Sequence, residues 1–251
     1  MRSGITARAP GCTILSLPLG IHKGRRAALG LAIGLALSSS AVAQDSSRRP
    51  VVTTGQALSF VGAGVVWGTS LLLDANVGPP TCAPCDPATL PWFDRWAVGN
   101  EKPAAARASD LLLVGLAAGT LWGTSRGEDG TRRAVISLES AAWTMAITQV
   151  SKALIGRERP IMYTDLALEA ASETNNQRSM WSGHTATAFA FATGYWLNNP
   201  DGDLLPKLAA LAAAAGVGAL RVVSAKHFPS DVVVGAIAGT AGAFIVHEVR
   251  F

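Results

Sequence analysis

The sequence predicts an all-α protein, folded as an antiparallel bundle of about six helices. Its 251 residues are 49% hydrophobic and only 15% charged, which indicates one globular domain preceded by a targeting segment and excludes a disordered chain. Six long apolar runs are separated by turn sequences rich in glycine, proline, asparagine and aspartate. None of these runs alternates polar and apolar residues as a half-buried strand does.

An export signal is predicted at the N-terminus. The basic cluster Lys23–Arg26 precedes the apolar run Ala27–Leu37, and Ala41–Ala43 forms a cleavage site of small residues. This order is typical of secretory signal peptides. We therefore expect residues 1–43 to be a signal peptide and residues 44–251 to be the helical domain. An uncleaved anchor helix is the alternative.

The net charge of +4 belongs to that N-terminal segment. Its first 43 residues contain five basic residues and no acidic one, so the rest of the chain carries 16 basic and 17 acidic residues. The predicted domain therefore has no excess of positive charge. Nothing in its composition indicates nucleic acid as a partner.

The six predicted helices follow the apolar runs in chain order. The runs are Val51–Leu73, Leu111–Ser125, Ala134–Ser151, Thr185–Asn199, Leu208–Leu220 and Val232–Val246. Only the first comfortably reaches the roughly 20 residues that span a bilayer, whereas the others are nearer to 15, a length that also fits buried core helices. We predict a membrane bundle, and a soluble or peripheral exported bundle is the alternative.

A basic segment, Lys152–Pro160, ends the third apolar run. Lys152 and Arg159 are seven residues apart, which is about two helical turns, so their side chains face the same way if the helix continues. Pro160 limits that continuation. Taken alone, these side chains also fit snorkelling at a membrane interface.

A second polar segment, Ser179–Ala186, contains Ser182, Gly183 and His184, which stand just before the fourth apolar run. Backbone N–H groups at the start of a helix have no partner within the helix and favour anions. This position therefore predicts an anion site at Gly183 and its neighbours. The alternative is that Ser182 serves only as a helix N-cap.

The fifth and sixth runs are joined by a third segment, Arg221–Asp231. His227 and Asp231 are four residues apart, so in a helix the carboxylate can reach the imidazole. Pro229 lies between them and leaves the local geometry open. A purely structural pair is the alternative to a catalytic one.

Helix alternation places all three clusters at the same end of an antiparallel bundle. Lys152, Arg159 and Arg221 then converge on His184 and His227. Fixed cations, guanidinium donors and helix-end N–H groups are suited to binding phosphate. One imidazole beside an acid can attack phosphorus, and the other can protonate the leaving oxygen. The arrangement requires no metal or other cofactor.

Together the clusters resemble the signature of the type-2 phosphatidic acid phosphatase/haloperoxidase superfamily, in its membrane-associated phosphatase branch. The residues that match it in order and spacing are Lys152, Arg159, Pro160, Ser182, Gly183, His184, Arg221, His227 and Asp231. The resemblance covers roughly residues 55–249. Trp181 and Leu220 depart from the signature, where it has a proline and a serine. Trp181 adjoins the expected site and is a candidate for lining the substrate entrance.

The resemblance implies one group of residues that binds the phosphate and two imidazoles that carry out the reaction. Lys152, Arg159 and Arg221 would hold the non-reacting phosphate oxygens, and Ser182 and the Gly183 N–H would add hydrogen bonds.

For the chemistry, the resemblance implies His227 as the nucleophile that forms a phosphohistidine. Asp231 would hold its ring in the productive tautomer. His184 would protonate the leaving group and then activate water. We expect His247, in the last apolar helix, to be a packing or interface residue and not a third catalytic imidazole.

The implied function is metal-independent hydrolysis of a phosphomonoester or diphosphate, and the expected substrate is lipid-linked. The expected partners are a phosphorylated lipid or small phosphoester and the membrane. The alternatives are an exported soluble-type acid phosphatase of broad specificity, a vanadium haloperoxidase, and a non-catalytic envelope protein that binds anions.

The expected location is a bacterial-type cell envelope, membrane-associated, with the active site on the periplasmic side. A soluble periplasmic protein is the alternative. A cleaved signal followed by six spanning helices would instead place the site on the cytoplasmic side, so the number of spans decides the topology.

Other polar residues lie close to these clusters. Cys82 and Cys85 predict a local disulfide in an exported loop, because a second cysteine pair for zinc is lacking. Arg157, Arg178 and Lys226 are either solvated charges or attract an anionic substrate.

Overall fold

The computed structural model of the protein describes residues 50–75 and 77–251. The predicted signal peptide, residues 1–43, lies outside the described residues. Within the described ranges the regular elements are helices and no strand occurs. The predicted all-α class is therefore confirmed.

The α-helices of the described ranges are six long helices and two single turns, and three short 3₁₀ turns lie between them. In chain order the α-helices are α1 (Thr54–Asp74), α2 (Trp92–Arg95), α3 (Pro103–Thr124), α4 (Gly130–Ile155), α5 (Ala167–Ala170), α6 (Gly183–Asn198), α7 (Leu204–Val223) and α8 (Pro229–Arg250). Each long helix overlaps one predicted run. Most extend past their uncharged runs because charged side chains are tolerated at helix ends, where they reach solvent.

Helix α6 lies at the centre of the bundle. It packs against α3, α4, α7 and α8, and α1 packs on the outside of α4. Small residues make this possible, since Ala186, Ala188 and Ala190 of α6 are fully buried. The closest approach is at Gly239 of α8, where a Cβ would lie 2.0 Å from the carbonyl oxygen of Ala186. Close packing around α6 brings the ends of the surrounding helices together.

Helix α4 ends before it reaches Arg159. Gly156 adopts a left-handed conformation with φ of 61°, and its N–H bonds to the carbonyl of Lys152, a common way for a helix to end. Pro160 then begins a 3₁₀ turn, Pro160–Tyr163. The continuous helix that would put Lys152 and Arg159 on one face is therefore absent from this part of the chain, and Arg159 lies in the connecting segment.

Four helices of the described ranges, α1, α3, α7 and α8, are long and apolar enough to cross a membrane. The expectation that only the first run reaches this length is wrong, because α3, α7 and α8 are longer than their uncharged runs. Helix α6, with 16 residues, is shorter than a span. Large apolar side chains such as Leu58, Leu111 and Val249 are exposed on these helices, which is compatible with membrane association.

Candidate active site

A cavity of about 430 Å³, here called the anion cavity, lies at one end of the bundle. Eleven residues line it: Asp110, Met145, Gln149, Lys152, Arg159, Asn175, Gly183, His184, Arg221, Lys226 and His227. The predicted meeting of the three clusters at one end is therefore observed. Six of the eight predicted site residues line the cavity, and the other two, Ser182 and Asp231, lie beside it.

Three cations are buried around the anion cavity. Lys152, Arg159 and Arg221 have only 5–8% of their surface exposed. Among the described residues neither Lys152 nor Arg159 has an ion-pair partner. The Nε atoms of Arg159 and Arg221 are buried without a hydrogen bond. Buried cations are costly unless they are paired, so this arrangement favours an anion in the cavity.

The excess of buried positive charge also affects the ammonium group of Lys152. Its burial, followed by the positive charges of Arg159 and Arg221, lowers the pKa of Lys152 from 10.5 to about 7. An anion bound among the three cations would offset their mutual repulsion and favour the charged lysine.

The start of α6 contributes backbone donors to the cavity. Gly183 and His184 are its first two residues and line the cavity, so their N–H groups lack partners within the helix. A Cβ on Gly183 would lie 3.5 Å from Cγ2 of Thr148 and 3.9 Å from Nζ of Lys152. The start of α6 therefore lies close to the ammonium group of Lys152.

Ser182 is the N-cap of α6 and is fully buried. Its Oγ accepts the N–H of Thr185 and the hydroxyl of the same threonine, at 3.4 and 2.9 Å. Ser182 is not among the residues that line the anion cavity. This placement matches the N-cap alternative, and its predicted hydrogen bond to phosphate stays a prediction.

His227 precedes α8 and is 1% exposed. Its Nδ1 lies 2.8 Å from the carbonyl oxygen of Ser179 and 3.6 Å from Oδ2 of Asp231. A carbonyl oxygen only accepts hydrogen bonds, so Nδ1 carries the proton and Nε2 keeps its lone pair. Burial is also the main cause that lowers the pKa of His227 well below 6.5. The ring is therefore neutral and has a free nucleophilic nitrogen.

Asp231 lies behind this imidazole and is fully buried. Its carboxylate accepts hydrogen bonds from Nη1 of Arg157 at 2.7 Å, from the N–H of Phe228 at 2.9 Å and from the hydroxyl of Ser179. The carbonyl of Ser179 is closer to the imidazole than the carboxylate is. Both acceptors select the same tautomer of His227.

Arg157 lies between two buried carboxylates. Besides Asp231, its guanidinium contacts Oδ2 of Asp94 at 2.8 Å, and Asp94 also accepts the N–H and hydroxyl of Ser230. The interpretation of Arg157 as a solvated or substrate-attracting charge is therefore wrong, because its guanidinium forms ion pairs with Asp94 and Asp231. Arg178 likewise pairs with Asp74, whereas Lys226 does line the anion cavity.

The second imidazole also has a carboxylate partner. Nε2 of His184 lies 2.8 Å from Oδ1 of Asp110, and the same oxygen is 3.5 Å from Nη1 of Arg221. Burial, followed by the charge of Arg221, lowers the pKa of His184 from 6.5 to about 4, while Asp110 opposes this shift.

Sequence reasoning assigned no role to Asp94, Asp110 or Ser179. Asp110 had a signal, because it is the last charge before the uncharged run Leu111–Ser125. Asp94 lies 63 residues before its partner Arg157, and Ser179 contributes through its carbonyl as well as its hydroxyl, so neither had a recognisable spacing.

Trp181 lines a different cavity from the one expected. This apolar cavity, of about 410 Å³, has a wall that includes Trp143, Thr144, Trp181 and Ile245. Nε1 of Trp181 donates to Oγ1 of Thr148 at 2.7 Å, and Thr148 is also the closest neighbour of a Cβ on Gly183. Thr148 therefore connects Trp181, in the wall of the apolar cavity, with Gly183, in the wall of the anion cavity.

The disulfide between Cys82 and Cys85 is present. Cys85 packs against Met162, and its N–H bonds to the Met162 carbonyl. Met162 belongs to the 3₁₀ turn that follows Arg159, so the disulfide lies at the same end of the bundle as the anion cavity.

Comparison with known proteins gives one family. Residues 133–251 match the model described as the PAP2 superfamily. No curated protein and no solved structure matches the chain. The matched residues contain all three polar clusters and leave out α1 to α3, which supply Asp94 and Asp110. On the strength of this match and of the clusters that it contains, residues 133–251 of the chain belong to the PAP2 superfamily, the type-2 phosphatidic acid phosphatases.

Proposed function

We propose that the protein is a metal-independent phosphatase that hydrolyses a phosphomonoester or diphosphate through a phosphohistidine. Members of the PAP2 superfamily are phosphatases. The observation that carries the proposal is the anion cavity itself, in which three buried cations surround two imidazoles. The cations balance the charge of a phosphoryl group, and each imidazole has a partner that orients it.

In the first step, Nε2 of His227 attacks phosphorus. The N–P bond forms as the bond from phosphorus to the leaving oxygen breaks, and His184 gives that oxygen a proton. Lys152, Arg159 and Arg221 stabilise the charge on the three non-reacting oxygens, together with the N–H of Gly183. Asp231 keeps His227 in the reactive tautomer and stabilises the charge that its ring gains.

The second step reverses these roles. His184, now neutral, takes a proton from water while the water oxygen attacks phosphorus and the N–P bond breaks. Inorganic phosphate leaves, His227 returns to its neutral form and His184 is again protonated.

A lipid-linked substrate is supported by the surroundings of the anion cavity. The cavity opens at the ends of helices that are apolar enough to enter a membrane, so a phosphate headgroup can bind while its chain remains in lipid. The apolar cavity beyond Trp181 and Thr148 offers a surface for the first part of such a chain.

The disulfide supports an exported active site. Disulfides persist in oxidising compartments, and Cys82–Cys85 packs beside the segment that carries Arg159. The proposed orientation therefore has the anion cavity on the exported, periplasmic side of a bacterial-type envelope.

We predict a higher kcat/KM for a lipid phosphate than for a short soluble phosphomonoester. Burial of several CH₂ groups, at about 0.8 kcal/mol each, gives a preference of more than roughly tenfold. Trp181→Ala should reduce this preference more than it reduces activity on the soluble ester. Phosphate release from both substrates in detergent micelles measures it.

Trp122→Ala is the matched control for this experiment. Trp122 is an exposed tryptophan near the C-terminal end of α3, away from both cavities, and its replacement should leave the preference unchanged. Equal kcat/KM for the two substrates would favour the soluble-type acid phosphatase. Phosphate binding without turnover of either substrate would favour the non-catalytic anion-binding protein.

We predict that activity persists in EDTA and that vanadate inhibits competitively. The reason is that Lys152, Arg159 and Arg221 supply the positive charge that a metal would otherwise provide. Vanadate, whose geometry resembles the transferring phosphoryl group, should compete for the same cavity. Complete loss of activity in EDTA, with recovery on addition of zinc or magnesium, would contradict the mechanism.

A further inference from the structure

Asp110 stands outside the three clusters and outside the matched residues 133–251, yet it lines the anion cavity. Its helix, α3, is apolar enough to cross a membrane, and Asp110 is the only acidic residue within Pro103–Thr124. Ionisable residues in such helices are costly and usually have a function.

Asp110 contacts an imidazole and a guanidinium group at the anion cavity. Its Oδ1 contacts Nε2 of His184 at 2.8 Å and Nη1 of Arg221 at 3.5 Å. A carboxylate that accepts a hydrogen bond from one ring nitrogen fixes the ring orientation and favours the charged imidazole. The other nitrogen, Nδ1 of His184, then carries the proton that can move.

We propose that Asp110 is a positioning residue, which orients His184 through Nε2 and keeps the proton that this imidazole delivers to the leaving oxygen. This inference rests on the proposed function. It makes the site a pair of carboxylate–imidazole units, one for the nucleophile and one for the acid. In the first step the proton passes from Nδ1 of His184 to the leaving oxygen, and in the second step water returns it.

The charges around His184 explain why it needs a carboxylate. The charged or titratable groups that line the same cavity are Lys152 of α4, Arg221 of α7, Asp110 of α3, and Arg159, Lys226 and His227 from the connecting segments. Among the described residues that line the cavity, Asp110 is the only acidic group. The cations that hold phosphate therefore oppose protonation of His184, and Asp110 is the group that counteracts them.

Asp110 favours protonation of His184, but it opposes the binding of an anionic substrate. It brings a negative charge close to Arg221, and therefore close to the expected position of the phosphate. Its removal should weaken proton transfer while leaving the affinity for phosphate unchanged or higher. A merely structural role would reduce both quantities, so the two effects can be separated.

The test compares Asp110→Asn with the wild type on two soluble esters, an alkyl phosphate and 4-nitrophenyl phosphate. The alkoxide leaves only with a proton, whereas nitrophenolate leaves without one. We expect kcat for the alkyl ester to fall roughly 10- to 100-fold, which is part of the usual contribution of a general acid. We expect kcat for the nitrophenyl ester to change less than about threefold, with an unchanged or lower inhibition constant for inorganic phosphate.

The pH profile gives an independent readout. The acid must be protonated, so loss of Asp110 lowers the pKa of His184 and moves the alkaline limb of kcat for the alkyl ester to lower pH. Asp165→Asn, at an exposed aspartate outside the cavity, is the control and should leave both esters and the profile as in the wild type.

Two results would overturn the inference in distinguishable ways. Equal losses on both esters in Asp110→Asn, with weaker phosphate inhibition, would show that Asp110 only maintains the cavity, while the proposed function would stand. A folded wild type that hydrolyses neither ester nor the lipid phosphate would overturn the proposed function, and the role of Asp110 with it.

Discussion

Replacement of His227 by alanine is expected to abolish turnover, with a loss of about 10⁴-fold or more in kcat. The other imidazole of the anion cavity, His184, is held by Asp110 and is needed as the acid, so the variant has no replacement nucleophile. Losses of this order follow removal of a nucleophile in other hydrolases. The measurement is phosphate release by the purified, folded variant, together with acid-quench trapping of labelled phosphoenzyme.

His247→Ala is the matched control. His247 lies in the last turn of α8 and its ring stacks on Phe251, with 4.6 Å between the ring centroids, far along the helix from Asp231. This variant should retain kcat within about twofold. Wild-type-like activity of folded His227→Ala would contradict the phosphohistidine mechanism.

Replacement of Arg157 by methionine is expected to destabilise the protein by about 3 kcal/mol or more. Arg157 neutralises Asp94 and Asp231, both less than 2% exposed in their side chains, and loss of one partner of a buried ion pair typically costs about 3–5 kcal/mol. Activity should fall as well, because Asp231 supports His227. Chemical unfolding in detergent, followed by circular dichroism, measures the stability.

Two further variants separate charge from packing. Adding Asp94→Asn to Arg157→Met removes one of the two unpaired carboxylates, so the double variant should be more stable than Arg157→Met alone. Arg126→Met is the control, since Arg126 is exposed and stacks over the ring of Trp122; it should change stability by less than about 0.5 kcal/mol. An Arg157→Met protein as stable as the wild type would show that the two carboxylates need no counter-charge.

The helices and their order could be predicted because these depend on local sequence. Apolar runs of 13 residues or more, separated by turn residues, leave little choice but helices, and all six occur. The bounds were less accurate, since an uncharged run marks where a helix is apolar and not where its hydrogen bonds end. Helix α3 begins eight residues before Leu111 for this reason.

The meeting of the three clusters could also be predicted. Alternation of helix direction is a topological property, so residues at the end of one long helix and at the start of the next must share an end of the bundle. This argument placed Lys152, His184 and Arg221 together before any distance was known. It also placed Arg159 there, but the continuous helix considered for Lys152 and Arg159 does not form, and the position of Arg159 depends on the left-handed Gly156 and the turn after it.

The all-α class, the helix order and the meeting of these cations and imidazoles follow from the amino-acid sequence alone. The tertiary structure was needed to find the partners of those groups. It showed that Asp94 and Asp110, from segments before residue 133, reach Arg157 and His184, and that Ser182 turns its hydroxyl toward its own helix. The physical reason is that spacing along a chain determines which helix end a residue occupies, whereas a hydrogen bond depends on ångström-scale packing between helices that are distant in sequence.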